Sequence, residues 1–241
     1  MSDDRPQVIV TRPDPDGAAF AELAAAAGLR PILSPAMDIE IDEARVDLTG
    51  VGALAFTSAN GVRAFAANCA DRTLPAYAVG AATAAEARRV RFDAVHVASG
   101  DVNALAQLIT SSPPGGRVLH VAGAARAGDL IAALEEENIS AARLTLYQAR
   151  ARDELSAEAK AAFSDKTAIW IALFSPRTAE IFLKQLSGTR GLQINATLFA
   201  ACLSDAVAQR AASGPFDRIE VAETMSAQSM VELIQAAEFS S

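Results

Sequence analysis

Short, uninterrupted apolar runs, each followed by a helical pattern, recur along nearly the whole chain and constrain its fold more than any other feature. "VIV" (8–10) leads into "GAAFAELAAAAG", and "ALAF" (53–56) into "GVRAFAANC". "AYAVG", "AVHVA", "RVLHVAG", "AIWIALF", "TLFAACLS" and "RIEVAE" each open a similar unit. "RPILS" and "ARLTLYQ" add two strands reached after helices. A strand with one wet face alternates apolar and polar residues. Runs without alternation are strands covered on both faces, and the intervening helices supply the covers. The expected fold class is therefore α/β with parallel sheets. Composition agrees: 51% of the 241 residues are hydrophobic but only 5% are aromatic, so Ala, Val, Leu and Ile must build a closely packed interior.

The chain also repeats itself. Residues 8–40 align with 118–150, and 53–65 with 171–182. "YAVGAATAAEA" aligns with "AACLSDAVAQR", and "VHVASGDVNALAQLI" with "IEVAETMSAQSMVELI". Four echoes in one order point to two similar halves. Polar breaks at 36–50 and 147–166 correspond in that alignment. If both are crossings, lobe one is discontinuous, 1–38 plus 153–241, and lobe two is 39–152, each with about five parallel strands. Asp101, Asp129 and Ser226 are placed to cap helices, and Gly28 to end one.

In open α/β sheets ligands bind beyond the carboxyl ends of the strands. The polar residues gather there: Thr11 and Arg12 after the first strand, then Thr57, Ser58 and Asn60, Gly80 and Thr83, Gly123, Ser175 and Thr178, and Ser204. Hydroxyls and free N–H groups at helix starts attract carboxylate or phosphate without any lysine. Thr11, Arg12, Ser58, Asn60, Thr83, Gly123, Ser175 and Ser204 are the candidate substrate-binding residues. Ser, Thr and Asn also cap helices everywhere, so one position alone would mean little. Tyr147 ends "RLTLYQ", where a phenol could face a cleft and donate to a departing oxygen. Tyr77 opens a strand and reads as packing.

Other chemistries lack their signals. No phosphate-binding glycine motif follows a strand, no G-x-S-x-G elbow occurs, and no His/Cys/Asp/Glu spacing suits a metal. His96 and His120 lie inside apolar strands and read as core or surface histidines. Cys69 and Cys202 read as reduced thiols of a cytosolic protein. Asp3-Asp4 and Glu135-Glu136-Glu137 read as solvated surface. The net charge of −8, without a basic stripe, argues against nucleic acid. No apolar run approaches the roughly 20 residues of a membrane span, and "MSDDRPQ" lacks the order of a signal peptide. A cytoplasmic protein with no membrane partner is expected.

Taken as a set, "VIVTRP", "FTSANGVRAF", "YAVGAATA", "LTLYQ", "LFSPRTAEIF" and "VAETMSAQSMVELI" resemble the uroporphyrinogen-III synthase family, the cofactor-free lyases of tetrapyrrole biosynthesis. The resemblance spans nearly the whole chain in family order. It implies two flavodoxin-like lobes with parallel five-stranded sheets, a two-segment linker and a cleft between. It implies a monomer that needs no cofactor and no metal. Its substrate would be linear hydroxymethylbilane, handed over from the preceding pathway enzyme, which loses water and closes to uroporphyrinogen III with its last ring inverted. By this resemblance Tyr147 matches the family's tyrosine proposed to assist loss of the hydroxyl. Ser58, Thr83 and Ser175 match polar cleft positions, and Thr11 and Arg12 the first strand end. One stretch departs: Leu203-Ser204-Asp205-Ala206-Val207 stands where the family usually shows Gly-Pro-x-Thr-Ala, so the threonine hydroxyl is absent, Ser204 is the candidate to replace it, and Asp205 brings a negative charge.

The alternative is a non-catalytic two-lobed binder of an anionic small molecule. A receiver-like module is disfavoured, because Arg12 stands where its acidic pair should be.

Overall fold

A computed structural model describes residues 5–125, 128–165 and 167–239, with residue 239 described by its backbone only. Asp3 and Asp4 lie outside the described residues. The chain divides into two compact units, one of residues 1–38 with 150–241 and the other of 39–149.

The first unit holds β1 (Gln7–Val10), α1 (Asp16–Ala26) and β2 (Arg30–Leu33) from the start of the chain. Its remainder is α6 (Ala157–Ser164), β9 (Ala168–Leu173), α7 (Pro176–Gly188), β10 (Thr197–Cys202), α8 (Asp205–Ala211), β11 (Arg218–Val221) and α9 (Ala227–Phe239). The second unit holds β4 (Val51–Phe56), α2 (Ala59–Asn68), β5 (Ala76–Ala78), α3 (Ala81–Arg89), β6 (Val95–Val97), α4 (Val102–Ser111), β7 (Arg117–Gly123) and α5 (Leu130–Glu136). β3 (Met37–Ile41) and β8 (Ala141–Ala151) carry the chain across the division.

Both faces of each sheet are covered, as continuous apolar strands require. In β9, Ile169, Ile171 and Leu173 join one cluster with Phe163 and Phe182, while Trp170 and Ala172 join another with Phe20 and Met230. In β4, Leu54 and Phe56 pack with Val62, Phe65 and Phe92, and Ala53 and Ala55 pack with Leu105, Ile109 and Leu134. The strand period of two sends neighbours to opposite cores, so these runs are apolar on both faces.

Unit 1 is a five-stranded sheet in the order β11-β10-β9-β1-β2, parallel throughout. Unit 2 has the order β3-β8-β7-β4-β5-β6. Its five strands from β8 to β6 are parallel, and they match unit 1 one for one: β4, β5 and β6 stand where β9, β10 and β11 stand, and β7 and β8 where β1 and β2 stand. Renumbered in chain order, unit 1 reads 2-1-3-4-5 and unit 2 reads 3-2-1-4-5. The two sheets are alike in space but opened at different points of the chain.

Unit 2 exceeds the five strands expected from sequence by β3, drawn from the polar segment read as a crossing. Asp42 N–H donates to Leu146 O at 2.9 Å and Arg152 N–H to Ala36 O at 2.9 Å, the spacing of an antiparallel pair. The Arg152 guanidinium grips Asp38 through Nε at 2.9 Å and holds its carboxyl below the usual range. Polar β3 sits at a sheet edge, where one row of backbone groups and the side chains can face water.

The helix starts follow their capping residues. Asp101, Asp129 and Ser156 each accept a backbone N–H three residues on, and Ser226 accepts the N–H of Ser229 at 3.1 Å. Gly28 ends α1 at φ 82°, which favours glycine. Cys202 is buried, which pushes its thiol up to about 11, and Cys69 is free and half-buried. Tyr77 is buried and stacks on exposed His96 at 4.7 Å, the packing role read from sequence. Among the described residues no helix is long and apolar enough to cross a membrane.

Candidate active site

A sheet whose strand order reverses has a seam where the flanking connections leave in opposite directions. Ligands of open α/β folds settle beyond the carboxyl ends at that seam. In unit 2 the seam falls between β4 and β7, and in unit 1 between β1 and β9.

At the unit 2 seam the chain leaves β4 through Thr57 and Ser58. Ser58 takes the extended backbone of an N-cap, φ −158° and ψ 155°, and its Oγ accepts the Gly61 N–H at 3.1 Å. The same Oγ lies 2.7 Å from the Tyr147 phenol oxygen on β8, two strands away. Tyr147 reaches it because Gly123 separates them: a Cβ at position 123 would sit 2.6 Å from Tyr147 Cζ. That glycine is fixed by the ring crossing it and by its carbonyl, which accepts from the Arg143 guanidinium. Arg143 also donates to Ala125 O at 3.1 Å, and the Ala124 N–H donates to Tyr147 O at 2.8 Å.

The neighbouring hydroxyl has a partner of its own. Thr57 Oγ1 lies 3.0 Å from His120 Nε2 on β7. His120 is 4% exposed. Burial, and then the nearby Arg143 cation, pull its pKa down to about 4, against a smaller opposing pull from Asp129. The imidazole is neutral at neutral pH and acts as a hydrogen-bonding ring.

Asn60, in the first turn of α2, accepts from Arg63 through Oδ1 at 2.8 Å, and Arg63 also pairs with the buried Glu86 of α3. The α3 acid is held ionised by Arg89 and Arg63 against the effect of its own burial. Thr83 lies in the first turn of α3 and is buried, unlike half-buried Thr57 and Ser58.

In unit 1 the polar positions are more self-contained. Thr11 is fully buried, and its hydroxyl donates to Ala172 O across the β1–β9 seam at 2.6 Å. Arg12 lies over the Phe174 ring at 5.1 Å and pairs with Asp16 at 3.4 Å. Ser175 repeats the Ser58 geometry at φ −155° and ψ 156°, with Pro176 opening α7. Its Oγ accepts the Thr178 N–H at 3.1 Å and pairs with the Thr178 hydroxyl at 2.7 Å. Ser204 has the same extended backbone, φ −159° and ψ 166°, but makes no side-chain cap bond. Exposed Asp205 instead offers its carboxylate to the first turn of α8, where the helix dipole favours it.

The structure thus brings Ser58, Gly123 and Tyr147 into one contact set and attaches to it Thr57, His120 and Arg143. Sequence reasoning did not select the last two. His120 is a polar residue inside an apolar run and Arg143 one of several polar residues of β8, and the meaning of each depends on strand neighbours: His120 is in register with Ala55 of β4 and with Arg143 of β8.

A sequence model of the family described as uroporphyrinogen-III synthase HemD matches residues 18–232. No curated protein matches the sequence. Among solved structures, the chain is similar to uroporphyrinogen-III synthetase from Helicobacter pylori, with TM-score 0.65 and 19% identity over 97% of this chain and 100% of that one. It is also similar to a mutant uroporphyrinogen III synthase from Thermus thermophilus, with TM-score 0.52 and 17% identity over 98% of this chain and 100% of that one. At such identities the structural likeness speaks for the α/β fold alone, whereas the family match covers most of the chain. The chain belongs to the uroporphyrinogen-III synthase family, cyclising lyases of haem biosynthesis.

Proposed function

We propose that the protein converts linear hydroxymethylbilane to uroporphyrinogen III, with loss of water and inversion of the last ring, and that the carboxyl edge of unit 2 carries the step that expels the hydroxyl. The observation that supports this most is the 2.7 Å contact between the Ser58 and Tyr147 hydroxyls at the positive end of α2. Ser58 Oγ accepts from the Gly61 N–H, so its own O–H can donate to the phenol oxygen. The Tyr147 O–H is then left to donate outward. A chain running from helix N–H to serine to phenol polarises each donor in turn.

The outermost donor meets the hydroxyl of the substrate. The C–O bond breaks as the pyrrole nitrogen supplies electrons. The departing oxygen gains a proton and leaves as water, and loss of the pyrrole N–H proton gives an azafulvene. The substituted carbon of the last ring attacks this centre to form a spiro intermediate, which opens and recloses with the ring inverted. Unaided closure joins the unsubstituted carbon and gives isomer I. The protein's task is to hold the chain folded, and positioning of this kind supplies several kcal/mol of selectivity. The bilane's carboxylates meet a protein of net charge −8, so long-range steering is unfavourable. Helix-start N–H groups and hydroxyls such as those at Ser58 and Ser175 supply local capture in its place.

On this reading the protein works in the cytoplasm as a monomer, taking its substrate from the preceding pathway enzyme. The test is incubation with freshly made hydroxymethylbilane and separation of isomers I and III. Isomer III in excess over the blank is expected, and isomer I alone would overturn the reading.

A further inference from the structure

His120 is a titratable group that the mechanism above does not use. It sits in the middle of β7, whose other buried members Val118, Leu119, Val121 and Ala122 are apolar. A polar ring in such a place is held less favourably than an aliphatic side chain, unless it has a partner. The side-chain partner it has is the Thr57 hydroxyl, at 3.0 Å, across the seam where the strand order reverses. Thr57 is half-buried and adjoins Ser58, whose hydroxyl is held in the same way by Tyr147. Two consecutive hydroxyls at the end of β4 are thus each tied down by a ring from another strand, His120 from adjacent β7 and Tyr147 from β8 beyond it. The charged groups facing His120 are Arg143, its register partner on β8, and Asp129 at the start of α5.

We propose that His120 is a positioning residue for the ring-inverting reaction: its Nε2 fixes the Thr57 hydroxyl in one direction beside the Ser58–Tyr147 pair, so that two adjoining hydroxyls of set orientation meet the substrate. This role rests on the reading of function given above. A freely rotating Thr57 hydroxyl would spread over three staggered directions, and the His120 contact selects one of them. A neutral imidazole serves here where a lysine or arginine would not, because its nitrogen can accept or donate without bringing a second cation beside Arg143.

The experiment compares the unaltered protein with His120→Leu, His120→Gln, Thr57→Val and the Thr57→Val/His120→Leu double variant. Isomer ratio, kcat and KM are measured for each. Isomer III from the unaltered protein is required first, and its absence strikes the reading of function and not the positioning role. Given isomer III, Thr57→Val and His120→Leu each lower kcat/KM by about tenfold, mostly in kcat, and raise the share of isomer I. The double variant falls no further than either single one, because the two residues act as one unit. His120→Gln, whose amide can still bond Thr57, recovers most of the loss. The imidazole nitrogen resonances of His120 shift in Thr57→Val, which reads the contact without any turnover. Losses that multiply in the double variant, or an unchanged isomer ratio in His120→Leu, would overturn the proposal. Should His120→Leu not fold, Thr57→Val with unaltered kcat/KM overturns it as well.

Discussion

The two seams have the same strand arrangement and opposite chemistry. Across β1–β9 a threonine hydroxyl is fully buried and donates to a main-chain carbonyl, which fastens the strand ends together. Across β4–β7 a threonine hydroxyl is half-buried and meets a histidine ring, and the next residue's hydroxyl meets a phenol. At one seam the threonine is spent on backbone and Ser175 pairs within its own helix turn, while at the other both half-buried hydroxyls are held by side chains from other strands. The shared architecture fixes where a site can be, and two or three side chains at the seam decide whether chemistry can occur there.

The largest expected effect is at the open seam. Tyr147→Phe removes the outward donor and leaves the ring, and lowers kcat by about 100-fold, as measured by single-turnover loss of the linear substrate. Gly123→Ala would push a methyl into the Tyr147 ring, and most of the same loss follows with the phenol still present. Equal rates for both variants and the unaltered protein would erase the contrast between the seams.

Next in size is a pH effect. His120 has its folded pKa depressed to about 4 from 6.5, so the unfolded chain binds the proton more readily between those values. Stability from this residue is fully present above 6.5 and is lost as pH falls towards about 4. The loss is about 2 kcal/mol between about pH 7 and about pH 5, and urea unfolding of His120→Gln in that window shows a correspondingly flatter dependence.

A smaller pair of effects separates the two threonines. Thr11→Val loses a buried hydrogen bond and costs about 1–2 kcal/mol of stability, with the larger part of its effect in unfolding and not in turnover. Thr57→Val does the reverse. The smallest effects belong to the matched caps: Ser58→Ala and Ser175→Ala each cost about 1 kcal/mol in thermal unfolding. Ser175→Ala stays kinetically mild, since backbone N–H donors share the binding of carboxylates, whereas Ser58→Ala also removes the partner of the Tyr147 phenol and lowers kcat several-fold more. Equal kinetic effects at the two serines would contradict the serine-to-phenol chain.

The sequence displays the strands plainly because they are buried on both faces: "AIWIAL" can be little else. It displays the N-caps at Ser58 and Ser175 as well, since a cap is read within four residues. What it hides depends on pairing between distant strands. That Thr11 faces Ala172, or Thr57 faces His120, follows from strand order and register, and neither leaves a local trace. Without that knowledge Thr11 and Thr57 look alike, and His120 looks like a histidine stranded in a core. β3 was hidden for a different reason. "MDIEI" is a polar edge strand, and its neighbour β8 is more than 100 residues away in sequence.

The most direct measurement is the isomer composition and initial rate for the unaltered protein beside Tyr147→Phe, taken in one quenched series with fresh hydroxymethylbilane. The account predicts rapid, nearly pure isomer III from the unaltered protein. Tyr147→Phe should give slow turnover, with isomer I accumulating as uncatalysed closure overtakes it. Isomer III formed at the same rate by both proteins would contradict the claim that the open seam of unit 2 carries the chemistry.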